Sequence, residues 1–283
     1  MRARLARRRL TSPAASLAAV ILAVLWSVPT LGLLVTSFRP QADIQSTGWW
    51  SVSHLTLDNY RQVLESQTSG RSLPQAFVNS IVITVPSVLA PLAIALLAAY
   101  AIAWINFRGR NLLFVVIFAL QIVPIQVTLI PLLNLYVDLG LAGGFWPVWI
   151  SHTVYSLPLA VFLLHNFMRG LPKELVEAAR VDGAGHVQIF LRVLAPLLVP
   201  AVAAFAIFQF LWVWNDLLVA LTFANTPGTN PMTVALANLA GSRGSAWYLL
   251  SAAAFVSMVV PLAVFLSMQR FFVRGLLAGS VKG

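Results

Sequence analysis

Residues able to carry out covalent chemistry are scarce in this chain of 283 amino acids. It contains no cysteine, which excludes disulfides, thiol catalysis and zinc–thiolate sites. Its carboxylates form no cluster suited to acid–base catalysis, and its histidines do not have the spacing of metal ligands. The four histidines are His54, His152, His165 and His186. We therefore expect no catalytic residue, no metal site, no cofactor bound by this chain and no enzymatic activity.

Some polar residues instead interrupt long apolar segments, where an ionisable side chain costs about 2.5–3.5 kcal/mol and usually faces a cavity or a partner. Gln209, Trp212 and Asp216 recur at i, i+3 and i+7 on one helical face, with Asn215 beside them. An aromatic face can stack on the C–H surface of a sugar, while amides and carboxylates bind its hydroxyl groups. These four residues are candidates for a sugar path, and Gln121, from an earlier segment, is a fifth.

Two of these assignments have an alternative. Asp216 lies close to the outer end of its apolar segment, so it could instead cap a helix or pair with Asn215 or an arginine. Gln121 lies near Pro124 and Pro131, which free backbone carbonyls that neighbouring groups must satisfy, so its amide could be structural.

A short polar segment between two apolar ones carries the end signals of a helix. Pro172 fits the first helical position, where its missing N–H is no loss, and Glu174 in the first turn favours the helix dipole. Gly183 fits the C-terminal end, where a left-handed residue commonly stops a helix. We predict a helix of roughly three turns. Its small and charged residues offer contacts to another protein: Ala178, Ala179, Glu177, Arg180 and Asp182. An amphipathic helix resting on the membrane surface is the alternative.

The elements that must position these residues are membrane-spanning helices. The chain is 59% apolar and 9% charged, whereas soluble domains contain about 25% charged residues. A helix crosses ~30 Å of hydrocarbon with about 20 apolar residues, and six runs are long enough. The six runs cover residues 14–37, 76–105, 111–137, 145–168, 189–221 and 246–272. We predict an all-α integral membrane protein with six transmembrane helices and the short helix between the fourth and fifth spans.

The distribution of charge supports this topology. The net charge is +10, but the basic residues lie at the ends of apolar runs rather than along one polar face, so we expect no nucleic-acid partner. With both termini in the cytoplasm, 14 of the 18 basic and 3 of the 8 acidic residues fall on the cytoplasmic side. Five or seven spans would scatter this charge. The first run could be a signal peptide, but it exceeds the ~7–15 residues of a signal core and lacks a small-residue cleavage site.

The topology also gives the domain organisation. We predict a cytoplasmic N-terminus (1–13), a first span (14–37), an extracytoplasmic loop (38–75), a five-helix core (76–272) and a cytoplasmic tail (273–283). A second outside segment, residues 222–245, is rich in Pro, Gly and Asn. A loop of this length is usually functional or disordered, and we predict an ordered loop that projects from the membrane.

The polar segment resembles the EAA loop of ABC importer permeases, which reads Glu-Ala-Ala, three residues, Gly, nine residues, Ile, one residue, Leu-Pro. The matching residues here are Glu177, Ala178, Ala179, Gly183 and Pro196, with Val193 in place of Ile and Ala195 in place of Leu. The phrase Trp214-Asn215-Asp216 and the ending 271–283 are similar to the smaller permease of maltose-type carbohydrate importers. Gly48-Trp49-Trp50 also looks like permeases assigned to α-glucosides.

The resemblance implies a multi-pass subunit of a bacterial or archaeal cytoplasmic (inner) membrane, in contact with membrane lipid. A second permease would complete the translocation path, and two ATPase subunits would bind ATP and Mg²⁺. An extracytoplasmic sugar-binding protein would deliver the cargo, an oligosaccharide or an α-glucoside such as maltose or trehalose. The chain itself has no glycine-rich loop of the G-x-x-x-x-G-K type followed by Ser or Thr, so ATP hydrolysis would lie on the partner.

The same resemblance assigns the ATPase-coupling residues. The loop would form a coupling helix seated in a cleft of the ATPase, and the C-terminal tail would reach the ATPase interface. The residues implied are Glu177, Ala178, Ala179, Asp182, Gly183, Lys282 and Gly283. Two other functions remain as alternatives. One is an ABC permease for a non-sugar solute; the other is an ion-coupled secondary transporter, which would want several intramembrane charges where this chain offers one.

Overall fold

The computed structural model describes residues 13–52, 54–65, 67–68, 71–241 and 247–280, without the side chains of 67, 68, 71 and 270–280. In this part of the chain the fold is helical, as predicted, except for one minimal hairpin. Its strands β1 (Gln67–Thr68) and β2 (Arg71–Ser72) are antiparallel, with Gln67 opposite Ser72.

The helices are named in chain order. They are α1 (Pro13–Ser37), α2 (Gln41–Ser46), α3 (Asp58–Glu65), α4 (Leu73–Trp104), α5 (Arg110–Ala119), α6 (Ile125–Asp138), α7 (Trp146–Arg169), α8 (Lys173–Val181), α9 (His186–Gln188), α10 (Ala195–Asn215), α11 (Leu218–Phe223), α12 (Met232–Ala240) and α13 (Trp247–Ser280). A 3-10 turn at Leu120–Ile122 follows α5, and a π-helical turn at Ile189–Leu194 joins α9 to α10.

Within the described residues, five helices are long and apolar enough to cross a membrane, and a bent pair of helices makes a sixth span if its two halves count as one. The bent pair is the predicted third span. Its halves, Arg110–Ile122 and Ile125–Asp138, meet at 98°. Because a proline disfavours the α conformation in the residue before it, Val123 is extended (φ −70°, ψ 117°) and the helix restarts after Pro124.

The predicted fifth span also differs from the sequence expectation. Its helix ends at Asn215 rather than at residue 221, and α11 begins as a separate helix at Leu218. At its other end the span opens with the π-helical turn. Pro196 has no N–H, so the hydrogen bond that an α-helix would form to the carbonyl of residue 192 is missing. Residue 192 lies inside the π-helical turn, where the α-helical pattern is interrupted.

The described residues form two compact units. One takes residues from Met1–Ser66 and Leu236–Val256, and the other from Gln67–Ala235 and Ser257–Gly283. In the first unit, Asn59 is buried and its amide donates to the carbonyls of Ser37 and Arg39, both at 2.9 Å, which fixes the chain as it leaves α1.

The core of the second unit is built on α4, α7 and α10. Helix α4 presents buried Ala95, Ala99 and Ala103 at a spacing of four residues, in the same core cluster as Ala160 of α7. Small residues on one face let two helix backbones approach closely, which is how membrane helices gain packing energy without a hydrophobic driving force.

Candidate functional site

The predicted coupling helix is present as α8, and local rules explain both of its ends. Pro172 occupies the N-cap rather than the predicted first helical position, with Glu174 in the first turn. At the other end Gly183 has φ +79°. The N–H of Ala184 donates to Ala179 O (2.9 Å) and that of Gly183 to Arg180 O (3.0 Å), which is a Schellman stop.

One face of α8 is anchored and the other is free. Val176 is buried in the core cluster of α4, α7 and α10, and Ala179 packs against the same cluster. The motif residues Glu177, Ala178 and Asp182 are exposed. The free face also holds apolar surface, because Leu175 is 40% and Val181 is 88% exposed.

The predicted tail contact lies only partly within the described residues. Lys282 and Gly283 are outside them. Residues 275–280 continue the last helix, α13. The distal half of the loop motif, with Val193, Ala195 and Pro196, falls in the π-helical turn and the start of α10.

A cavity of 460 Å³ lies beside the break in the third span, between the residues of that break, α7 and α10. Three of the five predicted sugar-path residues, Gln121, Gln209 and Trp212, line it. Gln126 and Tyr155 line it as well, and the Tyr155 hydroxyl lies 2.9 Å from Thr128 Oγ1. The cavity therefore brings together three amides, an aromatic indole and hydroxyl groups from segments that are distant in sequence.

Gln209 carries an unused acceptor. Its side chain is fully buried, and its Nε2 donates to the carbonyl of Ser87 at 3.1 Å. Its Oε1 has no hydrogen-bond partner among the described residues. A buried amide oxygen without a partner costs free energy, so Gln209 Oε1 can accept a hydrogen bond from a hydroxyl group of a bound ligand.

Asn215 and Asp216 do not line this cavity. The amide of Asn215 is exposed and donates to Leu211 O at 2.7 Å. Asp216 lies one residue beyond the end of α10, and its Oδ2 accepts the N–H of Val219 at 3.0 Å, which caps α11. The geometry thus favours the capping interpretation of Asp216 over a direct place in the sugar path.

His152 is a further candidate, which the sequence pattern does not single out. It is buried, its Nε2 lies 3.7 Å from Asp216 Oδ2, and its ring meets the Trp212 ring edge-on with centroids 5.6 Å apart. Histidines were judged only by metal-ligand spacing, whereas an ionisable residue inside a span is itself a sign of function. His152 joins the cap of α11 to a wall residue of the cavity.

The segment after α11 is ordered by hydrogen bonds to the start of α4. Asn79 Nδ2 donates to the carbonyls of Gly228 and Asn230, both at 3.1 Å, and the N–H of Met232 donates to Ser80 Oγ at 2.8 Å. Thr233 Oγ1 donates to Asp216 O at 2.9 Å. The prediction of an ordered segment is confirmed for these residues, although α12 occupies part of the predicted loop.

Two curated proteins are similar to this chain over most of its length. The chain is 53% identical over 274 residues to the osmoprotective compounds uptake permease protein GgtD of Synechocystis sp., covering 94% of this chain and 91% of that protein. It is 51% identical over 234 residues to the alpha-glucoside transport system permease protein AglG of Rhizobium meliloti, covering 81% of this chain and 60% of that protein.

The fold is shared with a solved structure at low sequence identity. A chain of a bacterial ABC transporter involved in the import of the acidic polysaccharide alginate superposes with a TM-score of 0.73 over 93% of this chain and 99% of that one, at 22% identity. Residues 72–277 match the family described as binding-protein-dependent transport system inner membrane component. The chain belongs to the family of inner membrane components of binding-protein-dependent transport systems.

Proposed function

We propose that this chain is one of two permease subunits of an ABC importer that carries a neutral sugar, an α-glucoside or a related osmoprotective compound. The cavity beside the broken third span is the observation that supports this cargo. Gln121 and Gln209 offer hydrogen bonds to hydroxyl groups, and the indole of Trp212 can cover the C–H face of a sugar ring. The name of AglG gives an alpha-glucoside as its cargo, and the name of GgtD gives osmoprotective compounds.

The charge of the cavity wall favours a neutral cargo over an acidic one. None of the residues that line it is Asp, Glu, Lys, Arg or His. An ionised sugar would lose hydration on entering and gain no counter-ion, and an unpaired charge is far more costly to bury than a hydroxyl group. A partner permease that lines the other side of the path would supply the remaining contacts.

Energy for import would come from two ATPase subunits that bind ATP and Mg²⁺. The exposed face of α8, with Glu177 and Ala178 beside the apolar Leu175 and Val181, suits a cleft on such a subunit. Its buried face, with Val176 in the membrane-helix core, would transmit a movement of the ATPase to the spans. The tail, including Lys282 and Gly283, would make a second contact on the cytoplasmic side.

Delivery would come from an extracytoplasmic sugar-binding protein. The family's description, which names dependence on a binding protein, supports a partner of this kind. With both termini in the cytoplasm, the segment between α11 and α12 faces this partner. Its ties to Asn79, Ser80 and Asp216 would let it move with α4 and α10 when the binding protein docks.

The test is affinity purification of the tagged chain in mild detergent from its native host. Co-purifying subunits are identified, and ATPase activity and uptake in proteoliposomes are measured with the binding protein and a panel of sugars. We expect a second permease, an ATPase, and stimulation by a neutral α-glucoside but not by a uronic acid oligosaccharide. Stimulation only by an amino acid, phosphate or metal would reject the sugar, and transport by the chain alone without ATPase would reject the importer.

A further inference from the structure

A second cavity, of 190 Å³, is surrounded by positive charge. It lies in the second unit where the end of α4, the start of α5, the end of α7 and α8 meet. Its lining holds four cations and one carboxylate: Arg110, Arg169, Lys173, Arg180 and Glu177. We refer to it as the cationic cavity. It is separate from the sugar cavity, with which it shares no lining residue.

None of the four cations forms a salt bridge within the described residues. The contacts within 4 Å between a basic and an acidic side chain are Arg61–Glu65 and two that involve a histidine, His54–Asp43 and His152–Asp216, and none of them involves the cationic cavity. Like charges around so small a volume repel one another, and the single carboxylate of Glu177 leaves an excess of positive charge. An anion inside the cavity would relieve this repulsion.

Hydrogen bonds hold two of the cations in place. Arg110 Nη1 donates to Asn106 Oδ1 at 2.6 Å and to Ile105 O at 3.3 Å, and Arg180 Nη2 donates to Trp104 O at 3.4 Å. The indole nitrogen of Trp104, another lining residue, is shielded from solvent and has no hydrogen-bond partner among the described residues. The lining thus offers preorganised N–H donors as well as charge.

We propose that the cationic cavity binds a phosphate group, carried by the headgroup of an anionic phospholipid or by a soluble phosphate compound. Arginine side chains match the geometry of phosphate with paired N–H donors, and three of the four cations are arginines. At about 30 Å³ per water, the cavity has the room of roughly six waters, enough for a phosphate group and some hydration. Its place at the ends of spans is the depth at which lipid headgroups lie.

A bound phosphate would link the coupling helix to the membrane spans. Lys173 and Arg180 lie on α8, whereas Arg110 begins α5 and Arg169 ends α7. One anion between them would hold these elements together. The inference concerns residues that the sugar path does not use, and it stands whether or not the cargo is a sugar.

Native mass spectrometry of the purified permease, with whatever subunits accompany it, tests the proposal. The probes are phosphatidylglycerol and phosphatidylcholine, with glycerol 3-phosphate as a soluble competitor. The test variant is Arg110→Gln with Arg169→Gln. The matched control, Arg108→Gln with Arg192→Gln, removes two exposed cations that do not line the cavity.

We expect the native protein to retain phosphatidylglycerol in preference to phosphatidylcholine. The test variant should bind it about thirtyfold more weakly, and the control within about twofold of native. If glycerol 3-phosphate cannot displace the retained phosphatidylglycerol, the site binds a lipid headgroup. If glycerol 3-phosphate displaces it, the site binds phosphate compounds in general. Arg110→Lys with Arg169→Lys should keep part of the affinity, which separates loss of charge from misfolding.

Two results would overturn the proposal. One is equal retention of both lipids by the native protein without any effect of glycerol 3-phosphate, a measurement that needs no variant. The other is a test variant that keeps its lipid but loses a co-purifying ATPase subunit. That result would assign these cations to a contact with acidic residues of the ATPase.

Discussion

Replacing Gly183 should uncouple ATP hydrolysis from transport without unfolding the membrane helices. Gly183 stops α8 with φ +79°, and a Cβ built on it meets no atom within 4 Å. The cost of Gly183→Ala is therefore conformational rather than steric. A left-handed conformation costs an L-residue roughly 1–2 kcal/mol, which shifts the population of a correctly ended helix by about five- to thirtyfold.

The size of the effect should follow the backbone preference of each substituent. Asparagine tolerates the left-handed region better than alanine, and valine, being β-branched, tolerates it least. We expect the ratio of sugar imported to ATP hydrolysed in proteoliposomes to be highest for Gly183→Asn, lower for Gly183→Ala and lowest for Gly183→Val. Gly185→Ala is the matched control, because Gly185 has φ −74° and also has open space around its Cα.

The assay requires two readouts on the same preparation. Thermal unfolding in detergent should stay close to native for all four variants, since Gly183 is exposed and no core contact is lost. Uptake per ATP hydrolysed reports coupling. Native coupling in a well-expressed Gly183→Val protein would refute the reasoning, as would an equal loss in the Gly185→Ala control.

Three further substitutions test the rest of the site. Trp212→Ala should raise the half-saturating sugar concentration about two- to tenfold, which corresponds to the free energy of one aromatic contact. Trp212→Phe should stay nearer to native, and an unchanged concentration for both variants would remove Trp212 from the sugar path. Asp216→Ala should lose about 1 kcal/mol of helix-cap stabilisation and speed hydrogen exchange in Leu218–Phe223, whereas Asp216→Asn should keep the native rate. Equal exchange rates in the Ala variant and the native protein would contradict the cap. Asn79→Ala leaves two carbonyls unpaired, at a cost of about 1–3 kcal/mol, and should expose residues 226–232 to limited proteolysis. Thr222→Ala, a control outside this segment, should leave it resistant.

Helix α8, the proposed coupling helix, could be predicted closely because its ends are set by local chemistry. A proline favours a helix start and a left-handed glycine a helix stop, and both act within a few residues. The sequence placed Pro172 one position inside the helix and Gly183 at its end, which the structure matches within one residue. These local rules do not predict which face of the helix packs against the rest of the protein, because the burial of Val176 depends on helices that are distant in sequence.

Span boundaries were harder to predict because hydropathy does not register a change of direction. The apolar runs containing Pro124 and Asp216 each read as one helix, yet each contains a break. In the first, proline excludes the preceding residue from the helical conformation. In the second, the Asp216 side chain accepts the N–H of Val219 and so starts a new helix.

The cavity beside the third span depends on the first of these breaks. In the third span the residues around Pro124, including Gln121 and Gln126, turn aside from a straight helix and line the space next to Gln209. Irregular backbone at membrane depth is tolerated where it lines a cavity, and neutral amides supply hydrogen bonds there without the cost of an ionised group. The same reasoning accounts for the separation of Asp216 from the cavity. A carboxylate on the wall would bind hydroxyl groups strongly but would also demand a counter-ion. As a helix cap beside His152, Asp216 can instead order the segment between α11 and α12 and leave the cavity wall neutral.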